Sequence, residues 1–309
     1  MSLFNRREFM ATSCLSTALP VATSLGNPLF AESKPPQFID AHVHVWTPDT
    51  QRYPLAAGYK KSDIMPVSFT PEQLFAHCRP TGVTRIVLIQ MSFYKFDNSY
   101  MLDMMKKFGG VFGGVGIVDE TNQPVRHMLK QARHGVRGFR IQPKGRPANQ
   151  WLKGDGMQAM WQAGAKHGLS MCPLIDVEHL PSVGEMCKQH PDTPVVIDHF
   201  GRVGIDGEIR EADLDDLCAL AKHKNVSVKI SAYYALGKKQ APYTDLLPMI
   251  KRCLDAFGPE RLMWASDGPF QVVKGHEYAP SIDLIKNADV LSAGDKDLLL
   301  RGTAERVFF

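Results

Sequence analysis

The chain has 309 residues, of which 44% are hydrophobic and 22% are charged, a composition that allows a globular protein to bury a large core. Its formal net charge of +4 is small for this length. No dense stripe of lysine and arginine interleaved with aromatic residues appears, which argues against a nucleic-acid partner and favours a small-molecule one. The sequence does not predict the oligomeric state.

The first residues resemble a twin-arginine export signal. Arg6 and Arg7 precede a mildly apolar stretch, roughly residues 9–25, which serine, threonine and proline interrupt. A membrane span needs about 20 predominantly apolar residues, so this stretch is too weak to be a stable one. We predict a signal peptide over residues 1–31, a linker over 32–37 and a periplasmic or otherwise extracytoplasmic protein. A disordered tail with a chance arginine pair is the alternative.

Beyond the linker, short runs rich in β-branched residues alternate with longer amphipathic stretches that suit helices. Because strand and helix alternate, the strands are expected to be parallel, with the helices as crossovers. Eight such units predict an α/β fold, a single-domain (β/α)8 TIM barrel over residues 38–309. An open dinucleotide-binding sheet is less favoured, since no GxGxxG motif follows the first strand. The predicted strands are 38–46, 85–91, 111–118, 136–141, 169–175, 194–199, 226–231 and 261–266.

Polar residues occur at the carboxyl ends of four predicted strands. A parallel strand that is buried on both faces is normally almost free of such groups, and the active sites of barrels lie at this end. We therefore expect these side chains to line one site. They are His42 and His44 on the first strand, Arg140 on the fourth, Asp198 and His199 on the sixth, and Asp267 after the eighth.

His42 and His44 lie two residues apart in the run FIDAHVHVW. Because side chains alternate across a strand, we expect both rings and Asp40 to face the barrel axis. Ile39 and Ala41 are then expected to face the helices. Two neutral imidazoles at this spacing can share one divalent cation, and Asp40 can orient a ligand or act as a structural hydrogen-bond acceptor. Histidines that are merely buried and hydrogen-bonded are the alternative.

Five segments resemble the amidohydrolase superfamily, specifically its amidohydrolase-related lactonase branch. DAHVHVW is similar to the first-strand signature of that branch, VVIDHFGR to its sixth-strand motif, VSVKIS to its seventh strand and MWASDGPF to its eighth-strand segment, while RGTAERVFF resembles its closing helix. Within the branch, the 2-pyrone-4,6-dicarboxylate lactonases and the fucono- and rhamnonolactonases are the nearest comparisons. The resemblance implies a barrel that hydrolyses a lactone.

The resemblance also implies roles for the residues at the strand ends. Asp267 becomes the general base, and His199 takes part in catalysis beside it. Three histidines surround the scissile carbonyl or a divalent metal ion, for which zinc is the expected element. These histidines are His42, His44 and His199, and with Asp267 they form the metal-ligand set that the resemblance implies. The fifth strand, within LSMCPLIDVEHL, contains no histidine, so a metal-independent reaction stays open.

Two further segments imply substrate contacts. QMSFYKFDN resembles a loop in which a serine contacts the substrate, and that serine is Ser92 here. RGFRIQPKGR resembles a segment with two arginines that bind substrate carboxylates, which are Arg140 and Arg146 in this chain. The alternatives are a salt bridge in the barrel core for Arg140 and a solvated loop charge for Arg146.

These residues predict a hydrolase that opens the lactone ring of a polar or anionic substrate with a water molecule that Asp267 activates. Two alternatives remain open. The first is a metal-dependent decarboxylase of an aromatic or muconate-type acid, and the second is a non-catalytic binding barrel.

Overall fold

The computed structural model describes residues 37–309, and the structural statements below concern those residues. The predicted signal peptide and all but the last residue of the predicted linker lie outside this part of the chain. None of the helices described is long and apolar enough to cross a membrane.

Eight parallel strands form one sheet in which each strand pairs with the next along the chain. The predicted strands are all present, although several are shorter than expected. They are β1 (Phe38–Val43), β2 (Val83–Ile89), β3 (Phe112–Gly116), β4 (Val136–Ile141), β5 (Ser170–Pro173), β6 (Val195–Ile197), β7 (Val226–Ser231) and β8 (Leu262–Ala265).

The sheet closes where β1 meets the segment that follows β8. The backbone N–H of Asp267 donates to the carbonyl of His42 over 2.9 Å, and the N–H of His44 donates to the carbonyl of Gly268 over 2.8 Å. We call this contact the barrel seam. With helices between successive strands, the fold is the predicted (β/α)8 TIM barrel in a single domain.

Seven helices confirm the amphipathic stretches between the strands. Four of them carry proline in their first turn, where its missing N–H has no helical partner to lose. The helix Tyr278–Asn287 after β8 was not predicted, and it packs behind the seam. The helices are α1 (Pro71–Cys78), α2 (Ser99–Lys107), α3 (Pro124–Ala132), α4 (Asp155–His167), α5 (Leu180–Gln189), α6 (Glu211–Ala219), α7 (Leu247–Phe257), α8 (Tyr278–Asn287), α9 (Ala293–Asp297) and α10 (Thr303–Phe308).

The barrel interior is a small apolar cluster to which six strands contribute, separate from the larger layer between strands and helices. Phe308 of α10 joins this cluster and covers one end of the barrel. Gly113 of β3 fits beneath it, because a Cβ atom at this position would lie 2.9 Å from the Phe308 carbonyl oxygen. The chain thus fills one end of the barrel with side chains and leaves the other end for the site.

The prediction that Asp40 shares a face with His42 and His44 is wrong. Asp40 pairs with Ile86 of β2 and Val43 pairs with Leu88, so β1 uses three steps where β2 uses two. Such a β-bulge interrupts the alternation of side chains. The side chains before the bulge therefore point to the faces opposite to those expected. Ile39 and Ala41 belong to the interior cluster, and Asp40 faces α8.

Candidate active site

Three polar side chains converge at the barrel seam. His42 Nε2 lies 3.3 Å from His44 Nε2 and 3.5 Å from Asp267 Oδ1, and His44 Nε2 lies 3.4 Å from the same oxygen. All three residues are buried. We call this nearly equilateral group the ligand triangle.

The ligand triangle fits a divalent metal ion. Ligand atoms about 2.0–2.1 Å from a tetrahedral cation are about 3.3 Å apart, which matches the three edges. Asp267 Oδ1 is buried and has no hydrogen-bond partner among residues 37–309, so one lone pair at the centre of the group is unused. His42, His44 and Asp267 can therefore hold a divalent metal ion together.

A backbone carbonyl orients one imidazole. His44 Nδ1 lies 2.9 Å from the carbonyl oxygen of Ile89 at the end of β2. That oxygen can only accept, so the ring carries its proton on Nδ1 and directs the lone pair of Nε2 into the triangle. The ring is thereby oriented to act as a ligand through Nε2.

His42 contacts two cations and a carboxylate. Its Nδ1 lies 3.3 Å from Asp198 Oδ1 and 3.2 Å from Lys229 Nζ, and its Nε2 lies 2.7 Å from Arg140 Nη2. Burial, followed by the charge of Lys229, holds the pKa of His42 well below its usual range, so the ring is neutral. The Arg140 guanidinium and a metal ion would compete for the same lone pair on Nε2.

The charges of this buried group balance. Lys229 Nζ lies 3.0 Å from Asp198 Oδ1, and Arg140 Nη2 lies 3.1 Å from Asp198 Oδ2. Burial opposes ionisation of Asp198, but Lys229 and then His42 keep its pKa well below the usual range. With Asp267 also ionised, two carboxylates face two cations, and the formal charges of the group cancel.

The second oxygen of Asp267 has its own partners. Tyr234 donates a hydrogen bond to Oδ2 over 2.6 Å, and His199 Nε2 lies 3.8 Å from that atom. Burial opposes ionisation of Asp267, but the neighbouring His199, followed by His44 and His42, holds its pKa well below the usual range. Burial raises the pKa of Tyr234, which remains a protonated donor. Asp267 is therefore a carboxylate with one oriented oxygen and one free oxygen.

His199 faces the same cavity from β6. Its Nδ1 lies 2.8 Å from the hydroxyl of Ser231, at the end of β7, and burial lowers the pKa of the ring. His199 lies beside the ligand triangle but is not a corner of it.

Left-handed backbone directs side chains into the cavity. His199, Ala232 and Asp267 follow β6, β7 and β8, and their φ angles are 52°, 61° and 63°. Residues other than glycine rarely adopt this conformation, and the cost is commonly met at functional sites. The backbone strain coincides with two of the predicted catalytic residues.

A cavity of about 350 Å³ opens over the triangle. Ser92 and Arg140, the predicted substrate contacts, lie on its wall together with His44, His199 and Asp267. Apolar residues cover much of the remainder, and Gln142, Arg202 and Tyr234 add polar groups. The cavity has the size and composition of a small-molecule site.

Arg146 does not line this cavity. Its guanidinium forms an ion pair with Glu120 at 2.5 Å and lies in an adjoining groove. Arg202 occupies the cavity wall instead and pairs with Asp176 at 3.0 Å. Sequence reasoning gave no role to Arg202, although this residue ends the quoted motif VVIDHFGR, and it had no signal for Tyr234. It also missed Lys229, although a lysine within the apolar strand VSVKIS is a signal that could have found it.

Comparison with known proteins gives consistent matches. The model of the amidohydrolase family Amidohydro_2 matches residues 39–309. L-Fucono-1,5-lactonase of Burkholderia ambifaria is 29% identical over 246 residues, covering 77% of this chain and 82% of its own. The 2-pyrone-4,6-dicarboxylate hydrolase of Comamonas testosteroni is 29% identical over 266 residues, covering 80% and 83%. A structure of a Burkholderia multivorans amidohydrolase with bound zinc covers 88% of this chain and 99% of its own, with a TM-score of 0.71 and 22% identity, and thus shares the fold.

Proposed function

The chain belongs to the Amidohydro_2 family of amidohydrolases, and from this premise we propose that it hydrolyses a lactone with polar or anionic substituents. The observation that carries the proposal is the carboxylate of Asp267 at the open end of the barrel. Tyr234 holds its Oδ2, while Oδ1 faces two imidazoles and has no hydrogen-bond partner in the described chain. A carboxylate in this state can accept a proton from water.

The chain's own residues provide the proton transfers. Asp267 accepts a proton from water while the water oxygen bonds to the lactone carbonyl carbon. The tetrahedral intermediate then breaks the ring C–O bond, Asp267 returns the proton to the leaving oxygen, and a hydroxy acid forms with one water consumed. Tyr234 orients the carboxylate, and His199 lies on the cavity wall where it can contact the carbonyl oxygen. A divalent metal ion, when bound, polarises the carbonyl and lowers the pKa of water.

Zinc is the ion that the donor set favours. Two imidazole nitrogens and one carboxylate oxygen are donor types found in catalytic zinc sites, where three protein ligands are usual. The Burkholderia multivorans amidohydrolase, which shares the fold, is described with bound zinc. Arg140 opposes the ion because its guanidinium approaches His42 Nε2, so metal content must be measured beside activity.

An anionic substituent is supported by Arg140. This side chain lies on the cavity wall, and its buried Nε has no hydrogen-bond partner within residues 37–309. A substrate carboxylate in the cavity can gain a charge-assisted bond to this guanidinium. The relative from Comamonas testosteroni is named as the hydrolase of a dicarboxylate lactone, which agrees with an anionic substrate.

The test is a panel of neutral and anionic lactones, with metal content measured on the same sample by elemental analysis. The wild type is compared with Asp267→Asn and with the control Asp255→Asn, which alters an exposed carboxylate on α7. We expect Asp267→Asn to lower kcat/KM by at least about 10³-fold, which corresponds to about 4 kcal/mol, and the control to retain activity.

Two outcomes would contradict the proposal. Substantial turnover by Asp267→Asn would remove the assigned base. Release of CO₂ from an aromatic or muconate-type acid, without lactone hydrolysis, would favour the decarboxylase instead.

Export by the twin-arginine route is a further part of the proposal. It rests on the sequence around Arg6 and Arg7 alone. Cell fractionation should find the mature protein outside the cytoplasm, and replacement of both arginines by lysine should retain it inside. Equal distribution of the two forms would contradict the export signal.

A further inference from the structure

Asp40 is a fully buried carboxylate that the proposed reaction does not use. Its Oδ1 accepts hydrogen bonds from the backbone N–H groups of His42 and Ser266, at 3.1 and 2.9 Å. Its Oδ2 accepts from the hydroxyls of Ser266 and Tyr278, at 2.5 and 2.6 Å. Four donors thus satisfy one carboxyl group, which makes its burial tolerable.

The partners of Asp40 stand on both sides of the barrel seam. His42 is a corner of the ligand triangle, and Ser266 immediately precedes Asp267, the corner contributed by the other side. The Ser266 hydroxyl also accepts from the backbone N–H of Gly268 at 2.9 Å, so the same group fixes the turn that carries Asp267. Asp40 itself does not line the cavity, because the bulge in β1 turns it toward α8.

Two backbone hydrogen bonds also cross the seam, from the N–H of Asp267 to the carbonyl of His42 and from the N–H of His44 to the carbonyl of Gly268. The triangle depends on this register, since His42 and His44 lie on one side and Asp267 on the other. Displacements of about 1 Å are enough to impair a preorganised site, so the hydrogen bonds that fix the register affect metal binding and catalysis.

We propose that Asp40 is a positioning residue that sets the spacing of the ligand triangle across the barrel seam, with Tyr278 of α8 as its anchor. The inference rests on the proposed function, because it concerns metal binding and turnover at that site. Asp40 acts through His42 and Asp267 and touches neither substrate nor metal. The bulge is what makes this possible, since an uninterrupted strand would place the carboxylate on the face of the histidines.

The test compares Tyr278→Phe with Ser281→Ala. Both substitutions remove one buried hydrogen bond of α8, since Ser281 accepts from Trp264 Nε1 of β8 at 3.2 Å, but only the first concerns Asp40. Asp40→Asn is the stronger variant. Each protein is checked for folding by circular dichroism and then titrated with Co²⁺, which reports coordination through its visible spectrum, and kcat and KM are measured on the best lactone.

Loss of an outer contact to a metal site typically weakens metal binding by about 10–100-fold. We expect Tyr278→Phe to weaken Co²⁺ binding by about tenfold and to lower kcat similarly with KM little changed, and Asp40→Asn to approach the upper limit of that range. Ser281→Ala should leave the Co²⁺ affinity, its spectrum and kcat near the wild-type values.

Equal effects of Tyr278→Phe and Ser281→Ala on Co²⁺ binding would overturn the positioning role, even when both lower the unfolding temperature. This comparison decides the matter if Asp40→Asn fails to fold. A wild type that neither binds Co²⁺ nor hydrolyses any lactone would overturn the proposed function, and this inference with it.

Discussion

Lys229→Met should destabilise the barrel by leaving a buried carboxylate with too little positive charge. Lys229 and Asp198 both have fully buried side chains, and Nζ lies 3.0 Å from Oδ1. Methionine preserves most of the length of the side chain and removes the ammonium group. The formal charge of the buried group changes from zero to −1, and Asp198 retains Arg140 on its other oxygen at 3.1 Å.

The magnitude follows from this remaining contact. Removing one partner of a buried ion pair costs about 3–5 kcal/mol. Because Arg140 still faces Asp198, we expect the lower part of that range, about 3 kcal/mol, and a melting temperature that falls by roughly 6–12 °C. The exposed pair of Lys107 and Glu72, 55% and 58% accessible, is the control, and Lys107→Met should cost less than about 1 kcal/mol.

The assay is equilibrium denaturation of Lys229→Met, Asp198→Asn and the double variant. Each single substitution unbalances the buried charge, whereas the double variant restores a formal charge of zero. The cost of the double variant should therefore fall below the sum of the single costs by about 2 kcal/mol or more. Additive costs, or a loss below about 1 kcal/mol for Lys229→Met, would refute the reasoning.

Other substitutions test the site and the barrel. Tyr234→Phe removes one hydrogen bond to the catalytic carboxylate and should lower kcat about tenfold in steady-state assays, and an unchanged kcat would show that the phenol does not orient that group. Arg140→Ala should raise KM for anionic lactones about tenfold or more, whereas Arg146→Ala, outside the cavity, should change it less than about twofold; equal shifts would contradict the assignment. Gly113→Ala should cost about 1–3 kcal/mol in denaturant titrations because its Cβ meets the closing helix, and a neutral result would show that the helix yields.

The sequence predicts the barrel because two hydrophobic patterns are clear: the apolar runs typical of buried strands and the amphipathic stretches typical of helices. Apolar runs alternate with amphipathic stretches, and polar groups such as His42 and Asp267 follow the runs at strand ends, where a barrel places its site. The seam then brings His42 and His44 within 3.5 Å of Asp267, which lies more than 200 positions along the chain. His199, the third histidine of the predicted ligand set, lies 3.8 Å from the other oxygen of Asp267.

The differences between the sequence prediction and the structure have local physical causes. Alternation predicts the wrong face for Asp40 because a single bulge reverses it, and no residue type marks that bulge in the sequence. Arg146 has its partner in Glu120, which belongs to another loop, so its ion pair depends on how the loops pack. Tyr234 donates to Asp267 from the turn after β7, in which Ala232 has a left-handed backbone that its residue type does not predict.

The cancelled charges around His42 imply a thermodynamic linkage between two kinds of ligand. A dication bound to the triangle adds two positive charges to a group that is otherwise neutral, and an anionic substrate offsets part of that excess. A substrate carboxylate also attracts Arg140, whose Nη2 lies 2.7 Å from His42 Nε2, away from the lone pair that the metal needs. Linkage is reciprocal, so each ligand raises the affinity for the other by the same factor. The protein would thus favour simultaneous occupancy by both ligands over occupancy by either one.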